Sequence, residues 1–225
     1  MDKLQAQAPP PTRESFVYDQ LREQILSGEL PPGTRLRQNE IADRLSVSQI
    51  PVREAFGRLR AMGLLEHRPQ CGVRVARLSK RGLEEILMIR MALEVLAISL
   101  ATPKIGQETV CILRHLLESI SQATRENNLH RRSQLSKEFH LTIYRASQFD
   151  KLYQMIVDLW ALAENHGSRG IPVQSPELVA ESEREHRAIL DSVERGDAEA
   201  AAQITRQHRQ SVIDRALRSS PDNGL

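Results

Sequence analysis

Three histidines sit where helical periodicity could bring them together. His140 lies in LSKEFHLTIYRAS, at the edge of a face formed by Leu135, Phe139 and Ile143. His186 lies in SEREHRAILDSV, in line with Ile189, Leu190 and Val193, and His208 lies in AAAQITRQHRQSVIDRAL between Ile204 and Val212. A period of 3.6 residues turns each imidazole toward the apolar side of its own helix. One such histidine is ordinarily a core residue with its hydrogen bonds satisfied. Three that converge form a facial site for Zn²⁺ or a similar divalent ion, because neutral imidazole is a good ligand for such metals. The other histidines, His67, His115, His130 and His166, have no comparable setting and read as surface or hairpin residues.

Two further groups carry chemistry. Between residues 86 and 103 the only charges are Arg90 and Glu94. They either pair one turn apart or, since Arg before Glu is the poorer order for a helical pair, leave the guanidinium for an anionic ligand. The second group is the front of the helix in VSQIPVREAFGRLRAMGLL, residues 47–65. Val52, Ala55, Phe56 and Leu59 make an apolar stripe, so Gln49, Ile50 and Arg53 must face outward at the N-terminal end. Pro51 fits the first turn, where its missing N–H costs nothing, and Ser48 is placed to cap it. That end carries the positive dipole pole and free N–H groups suited to phosphate, and it is the end that a recognition helix presents to the major groove. Arg58 and Arg60 fall further along, near a bound DNA backbone or in solvent.

These groups need elements to hold them. SFVYDQLREQILSGEL (15–30) has Val17, Leu21 and Ile25 at helical spacing, with Ser15 as the expected N-cap and Gly28, Pro31, Pro32 and Gly33 as the stop. A short helix at about 38–45 follows, then a tight turn at 46–48 and the helix just described, which Gly63 ends. Residues 64–67 and 73–75 alternate as two short strands around the loop RPQCG, with Arg68 and Gly72 at its tip. Helix, helix, turn, helix and hairpin make a winged helix-turn-helix. Residues 80–218 read as helices throughout, at about 80–101, 107–126, 130–147, 149–166, 176–194 and 197–217. Their breaks fall at Pro103 and Gly106, at Asn127 and Asn128, at 167–176, and at Gly196 with Asp197 as the next cap. Short loops predict an all-α antiparallel bundle of about six helices. Its first helix, apolar nearly all round over 85–101, is expected to be buried. The fold class is therefore mostly α. The expected organisation is a disordered lead-in (1–12), a DNA-binding head (13–78), a linker (79–82), a helical bundle (83–218) and a tail (219–225).

Composition agrees. Aromatics make up only 4% of the 225 residues, which disfavours a β-sandwich and suits Leu/Ala-rich helices. Net charge is +2 overall, but residues 49–77 carry 6 arginines against 2 glutamates, a basic front on a neutral body. A polyanionic partner for the front alone follows. Cys71 and Cys111 lack the number and spacing of a disulfide framework, so a reducing, cytoplasmic setting is expected. No apolar run is expected to span a membrane, and no membrane partner is expected.

PGTRLRQNEIADRLSVSQIPVREAFGRLRAMGLLEHRPQCGVRV resembles the N-terminal domain of the GntR family of bacterial regulators, and the likeness covers residues 16–77. The family pattern V-S-R-T-P-V-R-E-A is met at Val47, Ser48, Pro51, Val52, Arg53, Glu54 and Ala55, with Gln49 for the arginine and Ile50 for the threonine. Gln49 can read adenine bidentately where arginine would read guanine, and Ile50 can meet a thymine methyl. The candidate DNA contacts are Arg35, Arg37, Ser48, Gln49, Ile50, Arg53, Arg68 and Gly72. Residues 83–217 resemble the FCD ligand-binding domain, above all in EHRAILDSVERGDAEAAAQITRQH, and the six helices resemble its VanR-type branch. Arg90, Leu93 and Glu94 match its R-x-x-L-E pattern. The resemblance implies a divalent metal held by His140, His186 and His208, with Zn²⁺ the first expectation and Ni²⁺ or Mn²⁺ alternatives. An aspartate four residues before the first histidine is a further ligand in that family. Here that position is Ser136, which leaves three histidines plus water or effector. The metal would help hold a small carboxylate effector, with Arg90 and Ser136 beside it.

The implied protein is no enzyme but a sequence-specific transcription regulator, a repressor by family habit. It would bind double-stranded DNA at a palindromic operator as a homodimer, because symmetry doubles the contacts of one weak head. A metal-sensing regulator with the ion as signal, and a metal-dependent hydrolase built on the histidines, are the alternatives.

Overall fold

The computed structural model describes residues 12–68, 71–164 and 175–219. Most of the expected lead-in (1–11) and tail (220–225), the hairpin tip at Pro69 and Gln70, and the 165–174 stretch with His166 lie outside the described residues. The chain divides into two compact units after Arg77.

In the first unit α1 (Arg13–Leu26) buries Val17, Tyr18, Leu21 and Ile25 and packs on α3 (Gln49–Ala61). Its cap is Thr12, not Ser15: the Thr12 hydroxyl accepts from the Ser15 N–H at 3.1 Å, so the helix starts one turn earlier than expected. Between them α2 (Gln38–Leu45) buries Ile41 and Ala42 and ends on Ser46 at φ 53°. That left-handed residue reverses the chain into α3 within three residues, because a short polar side chain tolerates a conformation that bulkier ones avoid. Gly63, at φ 72°, ends α3 as expected.

The hairpin is there as β2 (Leu65–Arg68) and β3 (Gly72–Val75), but it gains a third strand. β1 (Arg35–Leu36) pairs antiparallel with the free edge of β3, in the order β1-β3-β2, with Arg35 opposite Arg74 and Leu36 opposite Val73. Two residues are too few to show alternation in a sequence. Leu36, Val52, Phe56, Leu59, Leu65 and Val75 close the core beneath the sheet.

The second unit holds, among the described residues, α4 (Lys80–Ala101), a 3₁₀ turn (Thr102–Lys104), α5 (Gln107–Arg125), α6 (Leu129–Arg145), α7 (Asp150–Ala163), α8 (Pro176–Glu194) and α9 (Ala198–Ser219). Residues 79–82, expected as linker, are the N-cap and first turn of α4: the Ser79 hydroxyl accepts from the Gly82 N–H at 3.1 Å. Asn128 and Asp197 cap α6 and α9 through the N–H groups of Arg131 and Ala200, each at 3.0 Å. α4 is the central element. It packs on α9, α7 and α6, while α5 packs on α6 and α8 and α8 packs on α9. Ile98, Leu113, Ile120, Phe139, Ile143, Ile156 and Ile189 form the centre of the core.

α4 departs from expectation twice. It is not buried all round: Met88, Ile89 and Leu96 are 46%, 44% and 49% exposed, so one apolar face has no partner among the described residues. Counted with the turn that follows (Lys80–Lys104), it is also long and apolar enough to cross a membrane, with an 18-residue stretch of mean hydropathy 1.7. Its other face is packed in the bundle core and carries the buried charges Arg90 and Glu94, as a core helix of a folded bundle can.

Candidate functional site

On the head, α3 divides as its periodicity predicts. Pro51, Val52, Ala55, Phe56 and Leu59 are buried, while Ser48, Gln49, Ile50 and Arg53 stand exposed together at the helix N-terminus. Ser48 is the N-cap by backbone position, with φ −73° and ψ 168°, but its hydroxyl makes no capping bond. The first-turn N–H groups are therefore not capped by that side chain. Arg53 makes no ion pair with any described residue. The other expected contacts are less free. Arg37 pairs with Glu40 at 2.6 Å and Arg68 with Glu66 at 2.8 Å, both on the surface. Arg35 lies beside Gly72, whose φ of 78° favours glycine. Arg58 is exposed to solvent, as expected, but is not free: it pairs with Glu14 at 2.7 Å and lies 4.0 Å from the centre of the Tyr18 ring, tying α3 to α1.

In the second unit the three histidines do converge. His140 on α6, His186 on α8 and His208 on α9 are all buried, and each offers a ring nitrogen within 4.8 Å of the others. The Nε2 atoms of His140 and His186 stand 3.0 Å apart. Two imidazole nitrogens on one tetrahedral zinc, at about 2.05 Å each, stand about 3.3 Å apart, so this spacing is close to that of a ligand pair. Ser136 Oγ also lies on His186 Nε2, at 3.1 Å. His208 Nδ1 donates to Glu185 Oε2 at 2.6 Å, which fixes its tautomer and leaves Nε2 as the ligating atom, as an outer-shell carboxylate does for a metal-bound histidine. The Nδ1 of His186 makes no hydrogen bond of good geometry among the described residues.

Electrostatics point the same way. Burial, then the Arg209 charge and the neighbouring imidazoles, hold His140 well below the ordinary histidine value. Burial, then His208 and Arg209, does the same for His186, and burial, then Arg209 and Arg215, for His208. All three are neutral at pH 7, the form that ligates metal. Glu185 is pushed up by burial, against the pull of the Arg215, Arg209 and Arg184 charges. The donor set and its convergence fit a divalent ion.

Beside the histidines, Arg90 takes the alternative of an internal pair. Its Nε donates to Glu94 Oε1 at 2.9 Å, with both side chains buried. Arg209, on α9, pairs with the other oxygen, Oε2. The Tyr144 hydroxyl also donates to Oε2, at 3.2 Å, and accepts from Arg209 Nη2 at 3.3 Å. Burial pushes the Tyr144 phenol up, so it stays a neutral donor. Arg90 and Arg209 lie 4.4 Å and 4.9 Å from the Trp160 ring centre, which walls this cluster. Two guanidiniums thus share one carboxylate, and the interior carries an excess of positive charge. Glu185 and Arg209 escaped the sequence because each adjoins an inward histidine, about 100° round its helix. Glu138, as expected, is exposed on another face, and so are His67, His115 and His130.

A bared recognition helix on a winged helix-turn-helix, joined to an all-α unit with a buried polar centre, is the build of a DNA-binding transcription regulator. Residues 13–75 match the bacterial regulatory proteins of the gntR family, and residues 85–211 match the FCD domain. The probable D-xylose utilization operon transcriptional repressor of Paenarthrobacter nicotinovorans is 33% identical over 92% of this chain and 90% of its own length. The regulator McbR of Escherichia coli K12 is 35% identical over 64% of this chain and 65% of its own length. The E. coli McbR/YncC structure superposes with TM-score 0.70 at 28% identity, covering 92% of this chain and 98% of the other. The chain belongs to the GntR family of bacterial regulators, in the group that carries an FCD domain. Its relatives are transcription regulators, which sets the hydrolase alternative aside.

Proposed function

We propose that this protein is a cytoplasmic repressor released from DNA by a small carboxylate effector, which binds with a divalent metal in the C-terminal unit. The observation that carries the reading is the meeting of three neutral imidazoles from three helices next to a buried surplus of guanidinium charge. His140, His186 and His208 would hold the ion. When bound, the ion supplies a fixed positive charge that accepts a carboxylate oxygen in a site sheltered from water. Ser136, beside His186, can donate to the same ligand, and Arg90 and Arg209 bring cationic donors nearby. Since α4, α6, α8 and α9 all contribute, a ligand that draws them together favours one packing of the bundle over another. Such a shift would alter how a pair of heads meets its operator.

The exposed α3 front supports the DNA contacts, with Gln49, Ile50 and Arg53 meeting base edges or phosphate, Ser48 beside them, and Arg35, Arg37, Arg68 and Gly72 on the flanks. A homodimer on a palindrome is supported by the unpartnered stripe of α4, where Met88, Ala92 and Leu96 recur every fourth residue beside Ile89. The repressor sense is supported by the name of the Paenarthrobacter relative, and the VanR-type branch by six helices among the described residues.

The test is a thermal-shift screen of the full chain against small organic acids, with Zn²⁺, Ni²⁺ or Mn²⁺ and after chelation. Duplexes selected from a random pool report DNA release in parallel. A cognate acid at a hundred times its dissociation constant should add about 2.7 kcal/mol of stability. Acids that stabilise the protein without releasing DNA would refute the inducer role, and release by metal alone would favour the ion as signal.

A further inference from the structure

Arg132 is a buried cation with no counter-ion in contact among the described residues. It is 7% exposed, and its Nε and Nη2 have no hydrogen-bond partner among the described residues. It lies on the inner face of α6, one turn before Ser136 and two turns before His140. The position one turn on, where a carboxylate could pair with it, is the neutral Ser136. Glu183 is near enough to act on it, but that carboxylate is engaged by the Ser121 hydroxyl at 3.3 Å and by Arg187 at 3.7 Å. Arg215 adds positive charge on the same side. A guanidinium offers five donors in a planar fork, and burying it unpaired is strongly unfavourable. A structure that keeps such a group keeps it for something.

The charges around the histidines cannot supply that partner. Glu94 is already shared by Arg90, Arg209 and Tyr144, and Glu185 is bound to His208. A monocarboxylate bound at the histidines would leave Arg132 as bare as before. We infer that Arg132 receives a second anionic group of the effector, so that the ligand is a short diacid carrying two carboxylates or a carboxylate and a phosphate. This rests on the carboxylate-effector reading and narrows it. One acidic end meets the histidine centre, and the other meets the fork of Arg132 toward the N-terminal end of α6.

The experiment uses the full chain with Zn²⁺ present. Binding of succinate and glutarate is compared with that of butyrate and valerate by calorimetry, and phosphoglycolate with glycolate, for the wild type, Arg132→Gln and Arg132→Met. The wild type should prefer diacids by at least about tenfold, as a charge-assisted bond is expected to give. Both variants should lose that preference while holding monoacids within about threefold. Without ligand, both variants should melt no lower than the wild type, because an unpaired buried charge has been removed. The phosphoglycolate arm decides which second group the fork favours. A preference that survives in the variants, a wild type indifferent to the second charge, or variants that melt well below the wild type would each overturn the assignment to Arg132. The carboxylate-effector reading would survive all three. If no acid binds the wild type, that reading falls and the diacid falls with it.

Discussion

Glu94 is the residue whose loss the second unit should tolerate least. Its side chain is fully buried, and it takes bonds or ion pairs from Arg90, Arg209 and Tyr144 at once. Glu94→Gln keeps the volume and removes the charge, leaving two guanidiniums side by side in the interior. A unit charge about 4 Å from another is worth about 4 kcal/mol at an effective dielectric of 20. Glu94 faces two such charges, and part of that gain is offset because the amide no longer has to be stripped of a carboxylate's hydration. Breaking a buried pair by removing one partner costs about 3–5 kcal/mol, and that range is the expected loss. In a unit of this size each kcal/mol lowers Tm by roughly 2–4 °C, so the C-terminal transition should fall by on the order of 10 °C. Circular dichroism melts at pH 7.5, repeated in urea, read it directly. Removing one surplus cation should repair the damage, so Glu94→Gln with Arg209→Met should recover more than half of the loss. If Glu94→Gln melts within about 2 °C of the wild type, or the second change rescues nothing, the shared carboxylate is not what stabilises this cluster.

Other expectations follow from the same geometry. Arg53→Ala should weaken duplex binding by about 1–3 kcal/mol. Fluorescence anisotropy across a salt series separates its roles: a shallower salt slope marks a phosphate contact and relaxed sequence preference marks a base contact, while unchanged binding removes Arg53 from the interface. Replacing His140, His186 and His208 by Ala should abolish the metal found by elemental analysis of purified protein, and metal retained in the triple variant would refute the site. In metal-free protein the folded-state values of these histidines are depressed, so acid protonates the unfolded chain first. Their effect is absent above the ordinary histidine value of about 6.5, and below it stability should fall by up to about 1.4 kcal/mol per pH unit for each histidine. A Tm that stays level from pH 6.5 to 5 would contradict their burial as neutral groups.

How far the sequence could be read depended on the kind of signal. α3 was legible because Val52, Ala55, Phe56 and Leu59 repeat at the helical period and Pro51 fits only a first turn; Gln49, Ile50 and Arg53 were then outward by elimination. The histidine triad was legible in part, since each imidazole lies in line with apolar neighbours on its own helix. β1 was not legible, because two residues show no alternation, and neither was the bond of Arg58 to Glu14, which crosses between helices 44 residues apart. The open face of α4 could not be read either: an apolar helix looks the same whether its last face meets the core or a second chain.

Local periodicity, caps and breaks thus determined which segments are helices, which side of each turns inward, and that a winged head precedes an all-α unit. Those properties depend on residues three or four apart, which the sequence lists side by side. Tertiary structure alone decided that Glu185 steadies His208, that Arg209 shares Glu94 with Arg90, and that Arg132 Nε and Nη2 are buried without a hydrogen-bond partner among the described residues. Each of these lies on the flank of a helix or pairs across helices, where burial depends on how closely the next helix approaches, and that approach is a property of the packed bundle.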